Sequence, residues 1–426
     1  MSTPPEAREA RLMRGFEGLI SSDAQLVAAQ PDPAITAALD EHDMVLVDVM
    51  KKVMTGYADR PALGERAVEF VTDAAGRTVA QLQPRFNTMT YRETWARVQA
   101  LAHALAGDPV RPGDRVATLG FTSADYAIVD MALPLTGAVA VPLQTSAALH
   151  QLQPILLETE PVAILCSVDH LDAAAELALT AYAPKRLVVF DYHPQIDDHR
   201  EAFGSATARL TDLHVSVEAL DDVITRGTTR TDGPQLARGD RDALRMLVYT
   251  SGSTGTPKGA MWTDHLVTKD WRGWVVPDWD TDRRLAAITL NFMPLSHVMG
   301  CTLLHATLGA GGTAYFTARS DMSTLLDDLA LIRPTKLDLV PRIWEMLFQQ
   351  VQSETDRRAH DGTDRAFYST TLQRTFIRDG QSGEKEYCYT DSLNRDDLLL
   401  GAKLLDQAHS AILRLEAADF AKSKGR

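Results

Sequence analysis

Apolar runs of strand length, alternating with helical segments, narrow the folds open to this chain. The runs are RVATLGF (after the turn RPGD), GAVAVPL, VAILCS and RLVVFD, all between Arg111 and Asp191. Helical stretches such as SAALHQLQPILLETEP lie between them. Strands that are apolar on both sides are buried on both faces, the habit of parallel strands joined by helical crossovers. The alternation predicts an α/β architecture of mostly parallel sheets flanked by helices. In MTYRETWARVQALAHALA, residues Trp95, Val98, Leu101, Ala102 and Leu105 share one helical face. Thr90 is placed to cap that helix, with Glu93 three residues later completing a capping box. The most apolar stretch, Tyr126 to Leu143, is interrupted by Asp130, Pro134 and Gly137. It predicts a buried helix, a turn and a buried strand, and no membrane span.

At 426 residues the chain is long enough for a large core, and 45% hydrophobic with 23% charged residues is an ordinary globular balance. A formal net charge of -14 argues against a nucleic-acid partner, which would need a basic face. The three cysteines, Cys166, Cys301 and Cys388, are odd in number and far apart. They suggest neither a disulfide framework nor a metal cluster, and fit free thiols in a reducing cytoplasm. The N-terminal MSTPPEAREARLMRGFEGLI lacks the continuous apolar core of a signal peptide. A cytoplasmic protein with no membrane and no nucleic-acid partner is expected.

The stretch LVYTSGSTGTPKGAMWT, Leu247 to Thr263, carries the strongest chemical signal. ALRMLVYT has the composition of a buried strand, and SGSTGTPKG cannot continue it. Gly252, Gly255 and Gly259 open backbone angles closed to other residues, and Pro257 lacks an amide donor. A helix is expected from about Asp264. A glycine-rich loop between strand and helix offers backbone N–H groups to an anion. Thr250, Ser251, Ser253 and Thr254 add hydroxyl donors, and Lys258 adds a positive charge. Together they suit a polyphosphate. The phosphate loop G-x-x-x-x-G-K-[ST] does not fit, because Pro257 stands at its second glycine and Gly259 follows the lysine. The bland alternative is a Ser/Gly/Thr-rich surface linker, but linkers seldom follow a buried strand directly.

His297 lies in LNFMPLSHVMG, after Pro294-Leu295-Ser296, a strand-end loop of the kind where sites gather. Its bland alternative is a structural histidine. His305, farther along an expected helix, suits packing. Neither histidine has the Cys or carboxylate spacing of a metal site.

YTSGSTGTPKGAM resembles the phosphate-binding signature of the adenylate-forming superfamily, which includes acyl-CoA synthetases, luciferases, peptide-synthetase adenylation domains and carboxylic acid reductases. LNFMPLSHVMG, LGAGGTAYFTARSDMSTLLDDLALIRPTKLDLVPRIWEMLFQQVQSETDRR, YADRPALGER and GDRVATLGFTSADY resemble the adenylation domain of bacterial carboxylic acid reductases. The likeness spans roughly Asp23 to Arg358. It implies the large N-terminal subdomain of the adenylate-forming fold, incomplete here, followed by a helical C-terminal tail. It implies ATP and Mg²⁺ as cofactors. Thr250, Ser251, Gly252, Ser253, Thr254, Gly255 and Lys258 would hold the phosphates, and His297 would sit where acyl pocket and nucleotide meet. Lys258 and His297 are the catalytic candidates. The implied substrate is an aromatic or fatty carboxylic acid. The implied sequel is transfer to a phosphopantetheine thiol of a carrier-protein domain and reduction to the aldehyde with NADPH, on domains not visible in this chain.

The chain departs from that family in places. It has no Tyr-Gly-x-Thr-Glu segment for Mg²⁺, no ribose-gripping Thr-Gly-Asp and no mobile C-terminal subdomain with its lysine, and Cys301 stands where arginine is usual. Two alternatives follow: a fatty acyl-CoA ligase, and a non-catalytic nucleotide-binding remnant. The expected organisation is a helical lead over 1–54, a partial adenylation domain over 55–358, and an unassigned segment over 359–426. That last segment ends in a helix striped by Leu404, Ala408, Ala411, Leu415 and Ala418, and truncation, frameshift or fusion would explain it.

Overall fold

A computed structural model describes residues 23–39, 41, 44–106, 108–229, 240–251, 257–272 and 287–335, with single positions and short pieces at 343, 345–347, 349 and 353. The C-terminal helix and the stripe from Leu404 to Ala418 lie outside the described residues. The described residues fall into two units.

The larger unit joins Pro31–Val276 to Asn291–Met322. After a short helix, Pro33–Leu39, it runs α1 (Leu46–Gly56), β1 (Pro61–Thr72), β2 (Thr78–Thr90), α2 (Tyr91–Leu105), β3 (Arg115–Leu119) and α3 (Ala124–Thr136). It continues with β4 (Val139–Pro142), α4 (Leu149–Thr159), β5 (Ala163–Ser167), α5 (Leu171–Thr180), β6 (Arg186–Phe190), α6 (Asp197–Leu210), β7 (Ser216–Ala219) and α7 (Leu220–Thr228). Next come β8 (Leu244–Ser251), β9 (Pro257–Thr263) and α8 (Asp264–Trp271). The strand β10 (Ile288–Asn291) belongs mainly to the smaller unit; α9 (Val298–Gly309) and β11 (Thr313–Phe316) return to the larger one.

The large sheet has the order β7-β6-β5-β3-β4-β8-β9. Every neighbouring pair is parallel except β8 with β9. In a smaller sheet β1 lies antiparallel to β2 and parallel to β11. The architecture is thus α/β with mixed sheets, and the expected parallel core is present.

The sequence signals explain these elements. Successive strand residues point to opposite faces. Val116, Ala140, Ala163, Leu165 and Val188 accordingly join one buried cluster, and Ala117, Val141, Ile164, Cys166, Leu187 and Val189 join the other. Both faces are dry, which is why these strands are apolar without alternation. On α2 all five residues of the expected face are buried. Its capping box forms as expected: Thr90 Oγ1 accepts from the Glu93 N–H at 3.2 Å, and the Thr90 N–H donates to Glu93 Oε2 at 2.8 Å. The stretch from Tyr126 to Leu143 is the expected helix, turn and strand, with Gly137 closing α3 at φ 76°.

The polar stretch from Thr225 to Asp242 starts inside a helix, since α7 runs to Thr228. Cys166 and Cys301 are free and buried. No described helix is long and apolar enough to cross a membrane.

The smaller unit holds the helix Ala24–Ala28, capped by Asp23, and α10 (Leu325–Ile332). There Ile288 exchanges two hydrogen bonds with Thr335, each 2.8 Å long.

Candidate active site

Strands β8 and β9 form a hairpin whose tip carries the glycine-rich loop. Thr250 pairs with Lys258 and Ser251 with Pro257 across the ladder. Gly252, Ser253, Thr254 and Gly255 lie between these pairs and outside the described residues. The expectation of a strand-to-helix loop is corrected here. A helix does begin at Asp264, but the seven residues of β9 come first. Among the described residues the loop is thus followed by a strand, not by a helix N-terminus. The missed signal is slight, because Pro257 occupies the first position of an edge strand, where its missing N–H costs no ladder bond.

Directly opposed residues of an antiparallel pair project from the same face with Cβ atoms about 5 Å apart. Thr250 and Lys258 therefore bring a hydroxyl and an ammonium to one side of the hairpin, and both are exposed. Lys258 makes no ion pair among the described residues.

The base of the hairpin is locked in the core. A register shift between Leu244 and Met246 makes Arg245 the extra residue of a β-bulge. Its Nε donates to Asp264 Oδ2 at 2.9 Å, and both side chains are almost fully buried, at 4% and 0% exposure. The other carboxylate oxygen of Asp264 accepts the Leu46 N–H at 2.9 Å, at the start of α1. Neither residue stood out as functional in the sequence. An arginine inside the apolar ALRMLVYT was the available signal, since a buried charge must be paired.

His297 is the N-cap of α9. Its Nδ1 accepts the Met299 N–H at 3.2 Å, which leaves Nε2 as the donor of the neutral ring. The ring is exposed. The turn before it is tight: a Cβ on Gly300 would lie 2.3 Å from the Pro294 carbonyl oxygen and 2.8 Å from that of Met293. Gly300→Ala is expected to displace the His297 cap and destabilise the fold by about 1–3 kcal/mol, measured by denaturant unfolding. Cys301, in place of the arginine, is buried and donates its thiol to the Leu295 carbonyl at 2.9 Å. Burial pushes its pKa up, and the charges of Asp130 and Asp270 add to that.

His305 is buried, as a packing residue would be, but it is also charge-paired. Its Nε2 lies 2.7 Å from Asp130 Oδ2 on α3, and its ring stacks on Trp271 of α8 with centroids 5.3 Å apart.

The structure brings Thr250, Ser251 and Lys258 together on one hairpin and places His297 on a separate element. No hydrogen bond or ion pair joins His297 to the hairpin among the described residues. Nor do those residues contain a group of three His, Cys, Asp or Glu that could hold a metal ion.

The pattern of the family described as AMP-binding enzyme matches residues 60–395. The chain is 53% identical over 363 residues to a carboxylic acid reductase of Mycobacterium tuberculosis, covering 84% of this chain and 30% of that protein. It is similar to the A domain of the carboxylic acid reductase from Segniliparus rugosus, solved in complex with AMP and a co-purified carboxylic acid. That match has a TM-score of 0.77 and 41% identity, over 88% of this chain and 59% of the other. The A-PCP didomain of the same reductase, in complex with AMP, matches with a TM-score of 0.76 and 41% identity, over 87% and 51%. The chain spans about a third of the length of the curated relatives it matches.

Proposed function

Because the chain belongs to the AMP-binding enzyme family, we propose that it activates a carboxylic acid as its acyl adenylate, as the adenylation part of a carboxylic acid reductase. The observation that carries this is the paired Thr250 and Lys258 at the mouth of the glycine-rich loop, in a chain so similar to an A domain solved with AMP and a carboxylic acid.

The acid's carboxylate attacks the α-phosphorus of ATP. The bond to the bridging oxygen breaks, and pyrophosphate leaves. A carboxylate is already ionised near neutral pH, so the step needs no general base. Two anions must meet, so charge must be neutralised. Lys258, the Thr250 and Ser251 hydroxyls and the amides of Gly252, Ser253, Thr254 and Gly255 serve the departing phosphates. His297 offers its Nε2–H where acyl group and nucleotide meet. Mg²⁺ enters with ATP as part of the substrate. The acid is aromatic or fatty. The acyl group passes to a phosphopantetheine thiol on a carrier domain, and NADPH reduces the thioester elsewhere in the whole protein. The proposed organisation keeps 1–54 as a helical lead, 55–358 as the partial adenylation domain and 359–426 as an unassigned polar segment and C-terminal helix. Its proposed setting is the cytoplasm.

The test is pyrophosphate release by the purified chain with ATP, Mg²⁺ and a panel of aromatic and fatty acids. The Lys258→Ala, His297→Ala double variant is the blank. Release above the blank that depends on added acid is expected. No release from a chain that still melts cooperatively would leave a nucleotide-binding remnant instead.

A further inference from the structure

We propose that His305 is a positioning residue for the acid-activating site, a role that rests on the activation reading above: bonded to Asp130 and facing Asp270, it holds helix α9 and its His297 cap in register with α8 and the Lys258 strand.

The path is continuous. β9, which carries Lys258, passes into α8 without an intervening residue. α8 ends at Trp271, and a Cβ on Gly309 of α9 would lie 1.8 Å from the Trp271 carbonyl oxygen, so the two helix ends touch. The His305 ring lies nearly flat on the Trp271 indole, at 18°. Its Nε2 bonds to Asp130, and its Nδ1, 4.0 Å from Asp270 Oδ2, has no hydrogen-bond partner among the described residues. His297 begins the same helix two turns earlier. Any slip of α9 against α8 moves His297 relative to Lys258.

The charge balance makes this hold depend on a proton. Asp130 and Asp270 are 10% and 4% exposed. The charged groups acting on the ring are Asp130 on α3 and Asp270 on α8, and Arg245 on β8 lines the same cavity; Tyr126 on α3 and Cys301 on α9 interact with Asp130 in turn. Arg245 is committed to Asp264, and α1 adds only the apolar Leu46 and Met50. Among the described groups here, the positive charge set against Asp130 and Asp270 is that of His305, and Asp270 also gains a hydrogen bond from Thr302. Burial alone would lower the imidazole pKa, but the charge and hydrogen bond of Asp130, with the charge of Asp270, outweigh it and raise it. Burial likewise raises Asp270, opposed by the charge of His305. A raised pKa in the folded state means the stabilisation is fully present below the unfolded histidine value, about 6.5, and is lost as pH rises through the folded one. Above it, two buried carboxylates flank a neutral ring.

The test compares wild type, His305→Gln and Asp270→Asn. Glutamine keeps a donor but carries no charge; asparagine removes one carboxylate and leaves the Asp130 bond. Melting temperature and the kcat of acid-dependent pyrophosphate release are measured from pH 6 to 9. His305→Gln is expected to lower kcat about tenfold at the acid end, as misplaced groups do, and to flatten the alkaline fall in both readouts. Asp270→Asn is expected to move that fall to lower pH. Variant profiles that superimpose on the wild-type profile after scaling would overturn the proposal while leaving the activation reading intact. Wild-type chain with no acid-dependent release at any pH would remove both.

Discussion

Lys258→Ala is expected to lower acid-dependent pyrophosphate release by about 10²–10³-fold, the usual loss when one preorganised group facing developing charge is removed. Negative charge accumulates on the leaving pyrophosphate, and Lys258 is the cation the hairpin presents beside Thr250. The loss should appear in kcat more than in the KM for the acid, because the charge develops as the phosphates depart. Melting should not change, since Lys258 is exposed and unpaired among the described residues. Lys258→Arg, which keeps the charge but not the shape, should recover only part of the rate. Steady-state kinetics with saturating ATP decide this. A rate within twofold of wild type would remove Lys258 from the phosphate site.

Asp264→Ala is expected to cost about 3–5 kcal/mol of stability, because it strands a buried guanidinium. Arg245 has no solvent to turn to at 4% side-chain exposure. The same change leaves the Leu46 N–H at the start of α1 without its acceptor. The two effects strike the base of β8, the junction of β9 with α8, and α1 together. Replacing both partners, as in Arg245→Met with Asp264→Leu, should cost much less than the single change, since an apolar pair leaves no buried charge unpaired. Denaturant unfolding of the two variants makes the comparison. Equal losses would mean that packing volume, and not the stranded charge, sets the cost. Activity should fall in Asp264→Ala even at temperatures where the chain stays folded, because the hairpin base also aims Lys258.

The candidate site was partly legible in the sequence. The hydroxyls, glycines and lysine between Thr250 and Lys258 have the chemistry to hold a polyphosphate, and they lie within the residues 60–395 that the family pattern matches. That Thr250 stands across from Lys258 was not legible, because β9 is an edge strand of seven residues with only a weak alternation. His297 was singled out by its place after a strand, but its role as N-cap, which fixes Nε2 as the donor, appears only in the fold. His305 looked like packing, and its partners were hidden.

What the sequence determined by itself is whatever its neighbours within a few positions dictate. The dry strands β3 to β6 follow from unbroken apolar runs, the start of α2 from Thr90 and Glu93, and the turn between α3 and β4 from Gly137. Periodicity and capping act over one or two helical turns, so the chain states them locally. Only the tertiary structure decided how charge is balanced inside. His305 meets Asp130 from 175 positions away, and Asp264 meets the Leu46 N–H across 218. Burial makes such pairs obligatory, since a charge out of water needs its counter-charge, but it leaves the choice of partner to the packing of helices and strands.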